Sequence, residues 1–230
     1  MKKTAVLTSI YHEFWGTEEF RKSCARFNLP VRNAWPQSAL FTGHGTTFKY
    51  LYSALLDLAI DHEYVIYADG ADSLFVKDVD VPEDHLLYST EKAIWPPTPE
   101  MQNMWNEHYD RVMMIPFPSF WAWKYLNGGG WCGPIKLALQ FFREYGLIDY
   151  TGDINGQREQ AIGFVKAHHK GFPIRLDTHC KIFQTTGFEH PGDFDIDENG
   201  FKNLITGTYP SILHGNGRTD MSRWYKHFNK

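Results

Sequence analysis

Two aspartates lie close together where an apolar stretch ends. The segment YVIYADGADSLFV (64–76) carries Asp69 directly after a run of strand-forming residues and Asp72 three positions later. Aspartate and glycine are common turn residues, so one interpretation is a turn that follows a buried strand. Because clustered carboxylates repel one another unless a positive charge lies between them, the other interpretation is a divalent-cation site. The pair by itself leaves both interpretations open.

Three glycine-rich segments carry further side chains that bind metals or phosphates in other proteins. HGNG starts at His214, LNGGG contains Asn127, and TGHG (42–45) precedes Lys49 at the start of a predicted helix. A histidine can ligate a metal, and glycines let a backbone approach a ligand closely. A helix N-terminus with a nearby lysine favours phosphate, although the Walker A spacing is absent. Ordinary turns remain the alternative for HGNG and LNGGG.

Length and composition indicate a globular protein of one large domain, or at most two small ones. The 230 residues are 43% hydrophobic and 22% charged, with a formal net charge of −4, which gives no sign of a surface for polyanions. Three widely spaced cysteines form neither a disulfide framework nor a zinc pattern. The apolar run near the N-terminus is too short for a signal peptide, and no segment is long enough to cross a membrane. We therefore expect a cytoplasmic protein with no membrane association.

Strand and helix patterns alternate along the chain, which predicts an α/β domain with a mostly parallel sheet. We predict strands over 5–10, 29–35, 63–69, 85–90, 173–177, 180–184 and 211–214, and helices over 17–27, 46–60, 135–145 and 156–169. The stretch 187–200 is expected to form a surface loop or hairpin. Ligands of such sheets bind beyond the carboxyl ends of the strands, where Asp69 and Asp72 lie. Their position favours the cation site over a plain turn.

The order of these motifs resembles the glycosyltransferase domain of procollagen lysyl hydroxylases and related collagen glycosyltransferases. The resemblance extends from about residue 4 to about residue 220. The matching segments are TGHGTTFK (42–49), YADGADSLF (67–75), STEKAIWPP (89–97), YLNGGGWCG (125–133), RLDTHCKIFQ (175–184) and HGNG (214–217). It implies a single GT-A glycosyltransferase domain over 1–230, with a Rossmann-like, mostly parallel sheet flanked by helices.

The resemblance also implies an activity and a set of site residues. The family transfers a hexose from a UDP-sugar to an acceptor hydroxyl, with Mn²⁺ or another divalent cation on the diphosphate. Its metal ligands correspond to Asp69, Asp72 and His214. The residues that would bind the donor are Thr8, Lys49, Glu91, Trp95, Gly128, Gly129, Asn216 and Gly217, and those with catalytic roles are Asn127, Glu159 and Gln160. The acceptor is expected to be hydroxylysine-like, a glycan or a hydroxylated nucleobase.

One motif departs from the family, and two alternative functions need comparison. The family has a run of aspartates ending in Asp-Gln, whereas this chain has GDINGQREQ (152–160), in which Glu159 would supply the carboxylate. A phosphatase that uses Asp-x-Asp after its first strand is excluded, because that strand ends in LTSIY, which has no carboxylate. A non-catalytic module that binds a nucleotide sugar or a metal on the same fold remains the alternative.

Overall fold

The computed structural model describes residues 3–36, 39, 43–95, 97–103, 105–106, 123–151, 156–187, 190–217 and 219–229. The strands in this part of the chain are β1 (Thr4–Thr8), β2 (Val31–Asn33), β3 (Tyr64–Ala68), β4 (Ser73–Phe75), β5 (Leu86–Glu91), β6 (Tyr125–Pro134), β7 (Ile174–Leu176), β8 (Phe183–Thr185), β9 (Phe194–Asp197), β10 (Gly200–Asn203) and β11 (Ile212–His214). The helices are α1 (Trp15–Arg26), α2 (His44–Leu58), α3 (Ile135–Glu144), α4 (Gly156–His169) and α5 (Ser222–Phe228), and Pro191–Asp193 forms a 3₁₀ turn.

The central sheet has six strands in the order β2-β1-β3-β6-β5-β7. Strand β1 pairs parallel with β2 and β3, and β5 pairs parallel with β7. Strand β6 runs antiparallel to both of its neighbours, β3 and β5. The other five strands therefore share one direction, and the predicted mostly parallel α/β sheet is confirmed. A second sheet has the order β4-β11-β8, and β9 pairs with β10.

The sequence of β3 is a continuous apolar run because both faces of the strand are covered. Val65 and Tyr67 pack into a core shared with α2, α3 and α4 on one face of the sheet. Ile66 and Ala68 pack on the other face, against α1 and the second sheet. A strand covered on both faces buries every side chain, so it does not alternate between apolar and polar residues.

Helices α1, α2 and α4 begin on the side of the central sheet where the parallel strands have their carboxyl ends, which we call the carboxyl edge. Each leads into a strand that runs parallel to β1 or β5, so each helix returns from the carboxyl edge to the opposite edge. Their positive N-terminal ends therefore lie on the side where β1, β3 and β5 end. Among the described residues, no helix combines the length and the apolar character needed to cross a bilayer.

The glycine-rich stretch 125–134 differs most from its prediction. The glycines of LNGGG favour a turn or a segment that approaches a ligand, but the stretch forms β6, the strand that joins β3 to β5. Glycine runs have weak strand propensity, so the pattern gave no strand signal. The glycines are required by close approach: a Cβ on Gly130 would lie 2.8 Å from Cδ1 of Phe183.

Smaller differences arise from side chains that act on the backbone. The predicted strand 180–184 begins only at Phe183, because the Asp177 carboxylate accepts hydrogen bonds from the amides of Lys181, Ile182 and Phe183 at 2.8–2.9 Å. The segment 187–200 was predicted as a loop or hairpin, and β9 and β10 form a hairpin that extends past it to Asn203. Strand β4 and helix α5 were not predicted.

Candidate active site

The turn between β3 and β4 carries Asp69 and Asp72 at the carboxyl edge of the central sheet. The Asp69 amide donates to the Gly129 carbonyl at 3.0 Å, and the Gly215 amide donates to the Asp72 carbonyl at 2.7 Å. A Cβ on Gly70 would lie 2.6 Å from Oγ1 of Thr8, so the turn packs directly on the end of β1. The turn and the cation site are therefore compatible, because the turn places both carboxylates on one side.

His214 reaches these carboxylates through the second sheet. Strand β11 pairs antiparallel with β4, and this register sets His214 opposite Ser73, the neighbour of Asp72. The His214 Nε2 atom lies 3.4 Å from Asp72 Oδ1 and 3.7 Å from Asp69 Oδ2. One ligand atom from each of the three residues lies within 4.8 Å of the others. The predicted Asp-Asp-His group is thus assembled from two sheets.

Without a cation, His214 and the two aspartates stabilise each other's charges, whereas the two carboxylates repel. Burial alone would lower the pKa of His214, but the negative charges of Asp72 and Asp69 raise it to about 9. Desolvation raises the pKa of Asp69 to about 6, while the charge of His214 opposes that rise and the charge of Asp72 adds to it. The imidazolium occupies the electrostatic role that a metal ion would take.

The donor set fits a divalent cation. Both ring nitrogens of His214 are buried and have no hydrogen-bond partner among the described residues. A Cβ on Gly129 would lie 2.3 Å from Cε1 of His214 and 2.6 Å from Oδ2 of Asp69, so only glycine leaves this space open. Two carboxylates and an imidazole suit Mn²⁺ better than a soft metal.

Glu91 connects three segments beside this group. Its Oε2 atom accepts hydrogen bonds from Asn216 Nδ2 at 2.9 Å and from Asn127 Nδ2 at 3.3 Å. The oxygens of the two amides are also used, since Asn127 Oδ1 accepts from the Gly129 amide at 3.0 Å and Asn216 Oδ1 accepts from the Gly187 amide at 2.7 Å. Burial raises the pKa of Glu91 to about 7, although both amides act to lower it. The carboxylate holds β5, β6 and the segment after β11 together.

Comparison with protein-family models identifies the domain. The model described as the PLOD GT domain matches residues 2–225. The chain belongs to the PLOD GT domain family. With the mostly parallel sheet, membership of this glycosyltransferase family confirms the predicted GT-A fold.

Individual relatives have low sequence identity to this PLOD-type domain. The bovine procollagen-lysine,2-oxoglutarate 5-dioxygenase 1 is 24% identical over 96% of this chain, and the mouse protein of the same name is also 24% identical over 96%. The chain spans 31% of the length of these relatives. A crystal structure of a glycosyltransferase involved in the glycosylation of the major capsid of PBCV-1 aligns over 98% of both chains, with 11% identity and a TM-score of 0.48.

The remaining predicted site residues of the glycosyltransferase domain divide into buried and exposed groups. Thr8 is fully buried under Gly70, and Gly128 and Gln160 are also buried. Lys49 and Gly217 are exposed, and Trp95 is 57% exposed despite its size. The structure therefore brings Glu91, Asn127, Gly129 and Asn216 together around the Asp-Asp-His group, and it places Thr8 beneath the turn.

Glu159 lies in the first turn of α4, at the edge of the sheet that carries the Asp-Asp-His group. Its Oε1 atom accepts a hydrogen bond from Arg158 Nη1 at 2.6 Å, and Arg158 also pairs with Glu100. Asp153, in the corresponding family motif, lies outside the described residues. Nothing in the sequence pattern indicated that Arg158 also pairs with Glu100, because these two residues are 58 positions apart in the chain.

A cavity beside the ends of β1 and β2 was also missed. It has a volume of about 510 Å³ and includes Ile10, Tyr11, Asn33 and Trp35 in its lining. The Asn33 side chain holds the loop after β1 by donating to the Ile10 carbonyl at 3.0 Å and accepting from the Ile10 amide at 2.9 Å. The sequence gave no sign of this cavity, because Tyr11 and Trp35 follow different strands and meet only through the fold.

Proposed function

We propose that the domain transfers a hexose from a UDP-sugar to an acceptor hydroxyl, with Mn²⁺ or another divalent cation. The observation that carries the proposal is the Asp69, Asp72 and His214 group, which lies at the carboxyl edge of a glycosyltransferase domain. The cation would neutralise negative charge on the diphosphate as UDP leaves. Asp69, Asp72 and His214 would hold it, and the space at Gly129 admits it.

The carboxyl edge suits an anionic donor. The N-termini of α1, α2 and α4 all lie there, and each carries a partial positive charge. Lys49 projects from α2 as an exposed cation, close to the start of that helix. Asn216 and Gly217 follow His214 by two and three positions, so they lie beside the same group. These features support assigning Lys49, Asn216 and Gly217 to the diphosphate.

The cavity beside β1 and β2 supports a place for the nucleoside. Tyr11 is half exposed, and its ring meets the ring of Trp35 edge-on with centroids 6.0 Å apart. A flat aromatic surface next to a cavity of this size suits a uracil base. On the opposite side of the Asp-Asp-His group, Glu91, Asn127 and the exposed ring of Trp95 would face the hexose. The donor would then lie across the edge of the sheet.

The acceptor is proposed from the curated relatives. Their name gives procollagen lysine as what they act on, so a hydroxylysine-like hydroxyl is the leading acceptor. A glycan or a hydroxylated nucleobase is the alternative. Glu159 and Gln160 would act on the acceptor side, where a carboxylate can accept the hydroxyl proton. We also propose a cytoplasmic location, which is supported by three buried cysteines that form no disulfide bond.

A donor screen tests the proposal. The protein is incubated with each common UDP-hexose and Mn²⁺, and release of UDP is measured with and without hydroxylysine peptide, free glycan or hydroxymethylated DNA. Asp72→Asn should abolish release that depends on Mn²⁺, whereas Asp61→Asn, at an exposed position beyond the C-terminus of α2, should leave it unchanged. If no donor releases UDP, the domain is a non-catalytic binding module instead.

A further inference from the structure

The two oxygens of the Asp69 carboxylate have different partners. Oδ1 accepts a hydrogen bond from the Tyr67 hydroxyl at 2.9 Å, and Oδ2 lies 3.7 Å from His214 Nε2. One oxygen is therefore held by the central sheet, while the other faces the space between the three candidate metal ligands. A carboxylate on a turn can rotate, so this division of partners selects one rotamer of Asp69.

The direction of each hydrogen bond follows from the chemistry of the groups. An ionised carboxylate only accepts, so the Tyr67 hydroxyl must donate to Asp69. The Ser9 hydroxyl lies 2.9 Å from the same Tyr67 oxygen. Because the proton of Tyr67 is already used, Ser9 is the donor in this second bond. The result is a chain of two hydroxyl groups that points at Asp69 Oδ1.

The Tyr67 ring cannot easily move away from this position. It is buried in β3 and stacks on Trp131 of the neighbouring strand, with ring centroids 5.4 Å apart and an angle of 16° between planes. Tyr88 of β5 also stacks on Trp131, at 6.1 Å. The hydroxyl of Tyr67 is therefore presented from a rigid, close-packed layer.

We propose that Tyr67 is a positioning residue of the metal centre. Resting on the proposed function, it fixes the Asp69 carboxylate so that Oδ2 faces the cation, and Ser9 fixes the Tyr67 hydroxyl in turn. Partners that orient a ligand in this way usually account for about 10- to 100-fold in metal affinity. The role requires only the hydroxyl, because the ring would pack in the same way without it.

The test compares tyrosine-to-phenylalanine variants at two positions on the same tryptophan. Dissociation constants for Mn²⁺ are measured from the free Mn²⁺ signal in electron paramagnetic resonance, with the whole chain and with or without saturating UDP. Tyr67→Phe should weaken Mn²⁺ binding by about 10-fold or more. Tyr88→Phe is the control, since its buried hydroxyl has no hydrogen-bond partner among the described residues. Ser9→Ala should weaken binding in the same direction but less.

The melting temperature of the metal-free protein separates positioning from general damage. Tyr67→Phe should melt close to Tyr88→Phe while binding Mn²⁺ more weakly. If Tyr67→Phe does not fold, Ser9→Ala decides, because it leaves the aromatic layer intact. Mn²⁺ affinities equal to that of the unaltered protein in both Tyr67→Phe and Ser9→Ala would overturn the inference. Failure of the unaltered protein to bind Mn²⁺ would contradict the metal centre itself, and with it the role of Tyr67.

Discussion

Asn216 Nδ2 lies 2.9 Å from Glu91 Oε2, although the two residues are 125 positions apart in the chain. The same oxygen accepts a hydrogen bond from Asn127, so one buried carboxylate links the end of β5, the start of β6 and the HGNG segment. This explains why an asparagine follows His214 by two positions. The glycines of HGNG permit the turn, and Asn216 ties it to the central sheet.

Replacing Glu91 should therefore affect stability as well as turnover. Glu91→Ala removes the acceptor of two buried amides, and an unsatisfied buried polar group costs about 1–3 kcal/mol. We expect the free energy of unfolding to fall by that amount, as measured by urea denaturation. Glu198→Ala, at an exposed position in the turn between β9 and β10, is the control and should change little. Equal unfolding midpoints for the two variants would contradict the linking role.

A methyl group at Gly129 should damage the metal centre directly. In Gly129→Ala the new Cβ would overlap His214 and Asp69, so either the strand or the ligands must move. We expect weaker Mn²⁺ binding and a lower melting temperature. Gly163→Ala on α4 provides a matched control, because its Cβ would lie 3.5 Å from Phe141, which is an ordinary contact. The free energy of unfolding of that variant should rise by about 0.5–1 kcal/mol, because alanine has a better helix propensity than glycine. Equal effects of the two substitutions would be inconsistent with the structure.

The metal-free protein should lose stability as the pH rises. The pKa of His214 is raised from 6.5 to about 9 by Asp72 and Asp69 against the effect of burial, and the pKa of Glu91 is raised from 4.5 to about 7, chiefly by burial. Each group binds its proton more tightly in the folded state, so its contribution is complete below the lower value and is lost as the pH passes the higher one. Melting temperatures at about pH 5, 6, 7 and 8 should therefore fall steadily.

Addition of Mn²⁺ should oppose this loss. The cation binds neutral imidazole and ionised carboxylates, so its affinity increases with pH and it stabilises the folded state more at about pH 8 than at about pH 6. The pH dependence of the melting temperature should become flatter or reverse when Mn²⁺ is saturating. A metal-free melting temperature that rises over this range would show that the carboxylates and His214 do not interact as described.

Substitution of Glu159 tests whether its carboxylate is catalytic or only forms an ion pair. If Glu159 takes the proton of the acceptor hydroxyl, Glu159→Gln should lower kcat by about 100-fold or more with a small change in the KM for the donor. Glu144→Gln on α3 is the control, since that carboxylate is exposed and pairs with Arg143. Unchanged kcat in Glu159→Gln would leave Glu159 only as the partner of Arg158.

Two of the three candidate metal ligands, Asp69 and His214, stand at or directly after recognisable strand ends. Asp69 follows a continuous apolar run, so its placement at the carboxyl edge needed only the parallel-sheet rule. His214 ends β11 of the second sheet, and only the antiparallel pairing of β11 with β4 brings it to the two aspartates. The strand at 125–134 was not predictable in this way. Its glycines look like a loop, and only the approach of Phe183 and His214 explains why no larger residue fits.

By itself, the sequence determined the alternation of strands and helices, the mostly parallel sheet and the candidate ligands of a cation, because these depend on local periodicity and on motif order. Tertiary structure alone decided that Glu91 joins Asn127 and Asn216, and that Tyr67 and Ser9 hold one oxygen of Asp69. These contacts join residues from separate strands and loops. No local pattern encodes them, since they arise from the sheet register and from the packing that brings distant segments within hydrogen-bond distance.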